Sequence, residues 1–291
     1  MTGKKTYGGI VMKIKGHLDL FSGIGGFSLG LERAGVEPEW IGYSDIDKHA
    51  NKVFKRRFNA EALGSIKDIR TEDLPEIDLV TFGFPCQDLS VANFKRKGLK
   101  GGERSSLFFE ATRIIRDKKP KYFICENVRG LFSSNKGEDF IIVLQEFADI
   151  GYDVQWELLN TKCEGGLPQN RERVYIIGHL RGESRPQVFP LGRNDEKTSK
   201  KSKEVDIADW RSDEGLRIRK NNISPTLTLA TPPYIINGDI RKITPVEAAR
   251  LQGFPDDWND CQSDSQRYKQ YGNAITVNVA ESIFNKLYKE K

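Results

Sequence analysis

An open α/β sheet is the fold that residues 16–180 predict, and three observations predict it. Short β-rich runs alternate with amphipathic helical stretches. A glycine-rich turn follows the first run directly and leads into the first helical stretch. Gly23–Gly26, Asp45, Cys86 and Glu126 all fall just past the carboxyl ends of predicted strands, where open α/β sheets hold their ligands.

In chain order, the predicted strands are His17–Phe21, Trp40–Ser44, Asp78–Phe82, Tyr122–Glu126, Val154–Leu159 and Arg173–Gly178, each a short β-prone run. Helices Phe27–Ala34, Lys48–Phe58, Leu107–Lys118 and Phe140–Asp149 lie between them; in the third, Phe108, Ala111, Ile114 and Ile115 share one face at helical spacing. From about Arg181 the texture changes. Leu191–Glu204 (LGRNDEKTSKKSKE) is polar and basic, a linker or exposed loop. Ser224–Ala230 (SPTLTLA) is β-prone, and Pro232-Pro233 leads into an apolar strand at Tyr234–Ile236, giving a strand-and-loop module too short for a core of its own. Helical patterning returns at Pro245–Leu251 and, after a Gly272-Asn273 turn, at Thr276–Leu287, which is expected to pack back on the large domain. The expected division is 1–15 as an N-terminal extension, 16–180 as the principal domain, 181–265 as a small domain and 266–291 as the returning helix. No repeat of 20 to 50 residues is present.

Composition narrows the function classes. Hydrophobic residues make up 37% and charged residues 30%, with a mean hydropathy of −0.55, and no run approaches the ~20 apolar residues of a membrane span. The lysines near the start are not followed by an apolar run, so neither a secretory signal nor a membrane location is expected. Lys and Arg number 46 against 41 Asp and Glu, a net +5 that suits a nucleic-acid partner without proving one. The four cysteines form no CxxC pair and no compact set with the three histidines, so no metal site or disulfide is expected and the cytoplasm is the expected compartment.

Four segments carry chemistry. Asp19-Leu-Phe-Ser-Gly-Ile-Gly-Gly-Phe-Ser28 sends a strand through a GxGG turn into a helix, which suits a nucleotide-like ligand because missing side chains let the backbone approach. The strict dinucleotide fingerprint fails at Ser28, while Asp45, ending the second strand, could grip ribose hydroxyls. Gly83-Phe-Pro-Cys-Gln-Asp-Leu-Ser90 sets Cys86 beyond a sheet edge like a nucleophile, whereas Cys125, Cys163 and Cys261 read as inert thiols. The loop from Asn93 to Arg104 holds five basic residues, one acidic residue and three glycines, a positive environment that could favour the thiolate. Glu126-Asn127-Val128 ends an apolar strand, where burial favours the protonated acid. In Gln169-Asn-Arg-Glu-Arg173, strand alternation points Arg171 and Arg173 to one face, fit for a base carbonyl or a phosphate.

Together with Thr244-Pro-Val-Glu-Ala-Ala-Arg-Leu-Gln-Gly-Phe-Pro255 and Tyr268-Lys-Gln-Tyr-Gly-Asn-Ala-Ile275, these blocks resemble the DNA (cytosine-5)-methyltransferase family, in the family's order, over nearly the whole chain from Leu18 except 181–240. The resemblance implies a class I methyltransferase (Rossmann-like) fold, a mixed and mostly parallel sheet that binds S-adenosylmethionine and leaves S-adenosylhomocysteine, with a small target-recognition domain and no metal. It implies cofactor contacts from Phe21, Ser22, Gly23, Ile24, Gly25, Gly26, Asp45, Ile46, Asp68, Ile69, Pro85, Leu107, Asn273 and Ala274. Asp45 would hold the ribose, and Ile46 would pack on adenine where relatives carry an aromatic residue. Cys86 would attack carbon 6 of a flipped-out cytosine, Glu126 would meet ring nitrogen 3, and Arg171 and Arg173 would hold the base. Double-stranded DNA would be met by Ser90, Lys95, Arg96, Lys97, Arg104, Thr226, Leu227 and Thr228, and residues 181–223, with 11 basic and 8 acidic side chains, would add phosphate contacts. The resemblance further implies a monomer on DNA, a cognate restriction endonuclease as a partner at the same site, and Met12 as an alternative start. The rivals are an RNA cytosine-5 methyltransferase of the same fold, although the Cys-Phe-Thr segment of the transfer-RNA branch is absent, a catalytically silent DNA-binding protein, and a nucleotide-binding oxidoreductase.

Overall fold

The computed structural model describes residues 11–85, 106–192, 206–211, 215–219, 223–227, 232–237 and 239–289. Seven strands form the main sheet: β1 (Met12–Leu20), β2 (Val36–Ser44), β3 (Glu61–Ala62), β4 (Leu79–Phe82), β5 (Tyr122–Val128), β6 (Tyr152–Asn160) and, after the two-residue β7 (Gln169–Asn170), β8 (Glu172–Leu180). Their order is β3-β2-β1-β4-β5-β8-β6. All run parallel except β8, which is antiparallel to both β5 and β6. This is the mixed, mostly parallel sheet that the sequence predicts.

Helices cover both faces because each carries an apolar stripe that only the sheet can bury. On one face α3 (Ser106–Lys118) and α4 (Glu138–Asp149) bury Phe108, Ile114, Val143 and Phe147 against Leu20, Phe82 and Phe123. On the other, α1 (Gly26–Arg33) lies beside the last helix, α7 (Val277–Tyr288), and both pack on Leu79, Ile124 and Ile177. The approach is close: a Cβ on Gly30 would stand 2.7 Å from the Ala280 Cβ. The return of the final helix thus has a local steric reason.

Between the second strand and the third, α2 (Lys48–Arg57) starts at Asp47, whose carboxylate caps the backbone N–H groups of His49 and Ala50. Strands β9 (Asp206–Arg211), β10 (Gly215–Arg219), β12 (Tyr234–Asn237) and β13 (Asp239–Lys242) make a separate antiparallel sheet in the order β10-β9-β12-β13. The β-prone run at 224–230 contributes only β11 (Ser224–Pro225), paired with β7; Pro225 has no N–H to extend a ladder, and residues 228–230 lie outside the described set. Two further helices follow, α5 (Pro245–Leu251), opened by a Thr244/Glu247 capping box, and α6 (Asp264–Asn273). Sequence reading saw only a turn at Gly272-Asn273, whereas these residues end α6.

A third apolar cluster sits at the carboxyl edge of the main sheet. It joins Ile24, Leu29, Ala50 and Val53 to Leu227, Ala248, Phe254, Trp258, Tyr271 and Ala274. Residues distant in sequence therefore meet above the strand ends. Among the described residues no helix is long and apolar enough to cross a membrane.

Candidate active site

The strand order changes direction between β1 and β4, since the chain leaves β1 towards β2 and later returns to build β4 and β5 on the other side. Diverging connections open a crevice at this point, and it holds a cavity of about 400 Å³, within the usual range for small-molecule sites.

The glycine turn forms one wall. Phe21, Gly23 and Gly25 all adopt positive φ, at 53°, 53° and 84°. The structure changes the reason for the glycines: a Cβ on Gly25 would lie 2.5 Å from Phe58 Cε2, and one on Gly26 would lie 2.8 Å from the Ile275 carbonyl. Both serve internal packing, and Gly23 alone of the three would meet nothing. The Asp45 carboxylate accepts from the N–H of Gly23 at 2.8 Å and from that of Asp47 at 2.8 Å. Burial pushes its pKa up, and those two N–H groups oppose the rise. Trp258, which sequence reading passed over, donates its indole N–H to the Ile24 carbonyl at 2.9 Å and stacks beneath the Arg57 guanidinium. Ile46, beside Asp45, is 82% exposed, an apolar surface with no protein covering it. The Ser22 hydroxyl is buried without a hydrogen-bond partner.

The opposite wall depends on β8 running backwards. Because it is antiparallel, its first residues lie beside the last residues of β5, with Arg173 opposite Val128. Arg173 Nε consequently sits 3.0 Å from Glu126 Oε1. Asn127 Nδ2 donates to the Phe84 carbonyl at 3.1 Å and so ties this strand end to the loop that leads into Cys86. Gly83 leaves space for the acid, since a Cβ there would stand 3.2 Å from Glu126 Oε2.

Arg171 lines the same cavity with a different job. It is 3% exposed and donates to the carbonyls of Gly272 at 3.1 Å and Ala274 at 2.9 Å. Burial, with the Arg173 charge, lowers its pKa to about 10, leaving it charged at neutral pH. Its two Nη groups brace the end of α6, and its Nε has no partner.

Of the residues the sequence singled out, the structure brings Phe21, Gly23, Ile24, Asp45, Pro85, Glu126, Arg171, Arg173, Asn273 and Ala274 to the cavity wall. Asp47, Lys269 and Gln270 also line it and were missed; the Asp47–Lys269 ion pair, 2.9 Å long, joins α2 to α6 and has no local sequence signature. Other expected positions are not in that lining. Ile69 is 6% exposed and belongs to the core under α3, Leu107 packs on that same core, and Asp68 is exposed away from the cavity lining. Leu227, expected at the DNA, is 4% exposed and packs in the third cluster, where its apolar side chain is kept from solvent. Thr226 gives its hydroxyl to the Asn170 carbonyl at 2.9 Å. Cys125 is fully buried, which pushes its thiol well up, while Cys163 and Cys261 are half-buried. Cys86, Ser90, Lys95, Arg96, Lys97, Arg104 and Thr228 lie outside the described residues.

Comparison with known proteins agrees with this arrangement. The profile of the family described as C-5 cytosine-specific DNA methylase matches residues 16–232 and 215–289. The type II methyltransferase M.Bsp6I of Bacillus sp. (strain RFL6) is 32% identical over 310 residues, spanning 93% of this chain and 97% of its own. M.HhaI of Haemophilus parahaemolyticus, another type II methyltransferase, is 32% identical over 306 residues, spanning 91% and 92%. Among solved structures, the S. pombe Dnmt2 methyltransferase has a TM-score of 0.70 at 20% identity, covering 95% of this chain and 100% of that one. Entamoeba histolytica EhMeth gives 0.64 at 18% identity, covering 94% and 98%. At these identities the two structures share the fold.

Proposed function

Since this chain belongs to the C-5 cytosine-specific DNA methylases, we propose that it methylates carbon 5 of a flipped-out cytosine in a short, specific double-stranded DNA sequence, with S-adenosylmethionine as donor. The observation that carries the reading is the meeting of Glu126 and Arg173, 3.0 Å apart, in one cavity with Asp45, the glycine turn and Pro85, the residue before Cys86.

The cofactor fits the residues present. Asp45 keeps lone pairs for ribose hydroxyls, Ile46 offers an uncovered apolar surface to an adenine, and the Ser22 hydroxyl is unpartnered. When bound, S-adenosylmethionine supplies a methyl group made electrophilic by its sulfonium. The protein's own part is to activate the cytosine. Cys86 adds as thiolate to carbon 6, and Glu126 meets ring nitrogen 3 as electron density moves towards carbon 5. Arg173, held by Glu126, presents its remaining donors to the ring carbonyl. Arg171 acts at one remove, keeping Gly272–Ala274 against the cofactor side. Loss of the carbon-5 proton then expels the thiolate. Unstacking the base costs a few kcal/mol.

We further read the chain as a monomer acting on DNA in the cytoplasm, with a restriction endonuclease of the same specificity as its counterpart. The test is labelled methyl transfer to duplex DNA and to transfer RNA. Incorporation into DNA alone is expected, and incorporation into RNA alone overturns the substrate assignment. Cys86→Ala should abolish transfer with cofactor binding retained, and a duplex carrying 5-fluorocytosine should trap the wild type covalently. Turnover surviving in Cys86→Ala refutes the nucleophile.

A further inference from the structure

The glycine turn is held from behind by a side chain that the reaction above does not use. Trp258 lies between α5 and α6, is 5% exposed, and donates its indole N–H to the Ile24 carbonyl at 2.9 Å. Ile24 is part of the cavity wall, and Trp258 sits on the side of the turn away from that wall.

Local geometry gives this bond its weight. Gly23 and Gly25, on either side of Ile24, have φ of 53° and 84°. Glycine carries no Cβ to restrict the peptide units beside it, so hydrogen bonds must fix their direction. The unit joining Ile24 to Gly25 is pinned at both ends: its N–H goes to the Ser22 carbonyl at 2.9 Å, and its carbonyl goes to Trp258. A buried carbonyl that loses its donor is costly to leave unpaired. Water can reach this one only through the cavity, and a peptide that turns towards water deforms the wall.

The indole is itself firmly seated. Its ring lies 5.7 Å from that of Phe58 and 5.5 Å from that of Phe254, with the Arg57 guanidinium 4.9 Å above it. Arg57 Nε also donates to the Trp258 carbonyl at 2.8 Å. These contacts use the ring and the backbone, whereas the N–H alone reaches the turn. Packing and polar contact are therefore separable by mutation.

We propose that Trp258 is a positioning residue for the methyl donor, fixing the Ile24–Gly25 peptide so that the turn offers the ligand a wall already in shape. The proposal rests on the cofactor reading above and deepens it. Ordering the turn in advance spares the ligand that cost on binding. A neutral hydrogen bond of this kind is worth roughly three- to tenfold in an equilibrium constant. Donor and product share the turn, so both feel its loss.

The test compares the full chain as wild type, Trp258→Phe and Phe254→Leu. The first variant keeps an aromatic ring beside Phe58 and removes the N–H; the second disturbs the same packing and leaves the N–H in place. In Trp258→Phe the KM for S-adenosylmethionine on duplex DNA should rise roughly three- to tenfold while kcat at saturating donor holds. Calorimetric affinity for S-adenosylhomocysteine should fall by the same factor. Phe254→Leu should lower stability in urea and leave the KM unchanged. An unaltered KM in Trp258→Phe, or an equal rise in Phe254→Leu, overturns the proposal. If Trp258→Phe does not fold, the Trp258 indole N–H resonance decides, assigned by replacing Trp40, Trp156 and Trp210 in turn. It should shift when the wild type is saturated with product, and an unmoved resonance is the contrary result. Failure of the wild type to bind either ligand overturns the cofactor reading, whereas binding that Trp258→Phe does not weaken overturns this proposal alone.

Discussion

Gly25 provides a sharp test of why the turn needs glycine. Its φ of 84° lies in the left-handed region, where an alanine costs about 1–2 kcal/mol. A Cβ there would also stand 2.5 Å from Phe58 Cε2 and 3.2 Å from Phe54 Cε2. Neither ring can yield freely, because Tyr43, Phe54, Phe58 and Trp258 stack in series with centroids 4.2 to 5.7 Å apart. Overpacking of that kind costs about 1–3 kcal/mol. The sum for Gly25→Ala is about 2–5 kcal/mol, a large share of the 5–15 kcal/mol that holds a typical domain together. Gly151 supplies the control, since its φ is 99° but a Cβ would meet nothing within 4 Å. Gly151→Ala should lose only the backbone part, about 1–2 kcal/mol. Equilibrium urea unfolding of both variants reads the difference directly, and calorimetry with the cofactor should show weakened binding for Gly25→Ala alone. If Gly25→Ala loses no more stability than Gly151→Ala, the ring contact is not what demands the glycine.

Two further predictions concern the acid and a pair of buried titrating groups. Glu126→Gln should slow single-turnover methyl transfer by about 10²–10⁴-fold, and an unchanged rate would assign the carboxylate to bracing Arg173. Burial holds the His17 pKa at about 3, below its ordinary 6.5, so between these values the unfolded chain takes a proton that the folded chain refuses, and acid destabilises the fold through this group. Asp19 works in the opposite sense between 3.8 and about 7, because the folded state protonates first. The two offset in the wild type, so His17→Gln should gain stability relative to wild type as pH falls from about 7 to about 5; parallel urea curves for the two proteins across that range would contradict the assignment.

Much of the main sheet was legible in sequence because its signals are local. Trp40–Ser44 and Asp78–Phe82 are short β-prone runs bounded by turns, and Phe108, Ala111, Ile114 and Ile115 repeat at helical spacing, so each element declared itself within a dozen residues. The glycine turn and Asp45 were visible for the same reason, since strand ends in an open α/β sheet mark its ligand edge. The core packing of Ile69 and Leu107 was not legible, because an apolar residue near a pocket and one in the core under it look alike in sequence. The packing of Leu227 was hidden similarly: an alternating Thr-Leu run is compatible with a surface strand or with a buried anchor, and its contacts with residues beyond 240 decide between them.

By itself, then, the amino-acid order determined the alternation of strands and helices, the turn that opens the first helix, and the placing of Asp45 just beyond a strand end. Tertiary structure alone decided which of these groups touch. The reversal of β8 delivers Arg173 to Glu126, 47 positions earlier in the chain, and Arg171 reaches the Gly272 carbonyl across 101 residues. Gly25 and Gly26 owe their identity to Phe58 and Ile275, and Trp258 braces the turn from 234 residues away. Periodicity records which side of an element is apolar, whereas the partner that covers it is set by how whole elements stack, and no local spacing encodes that choice.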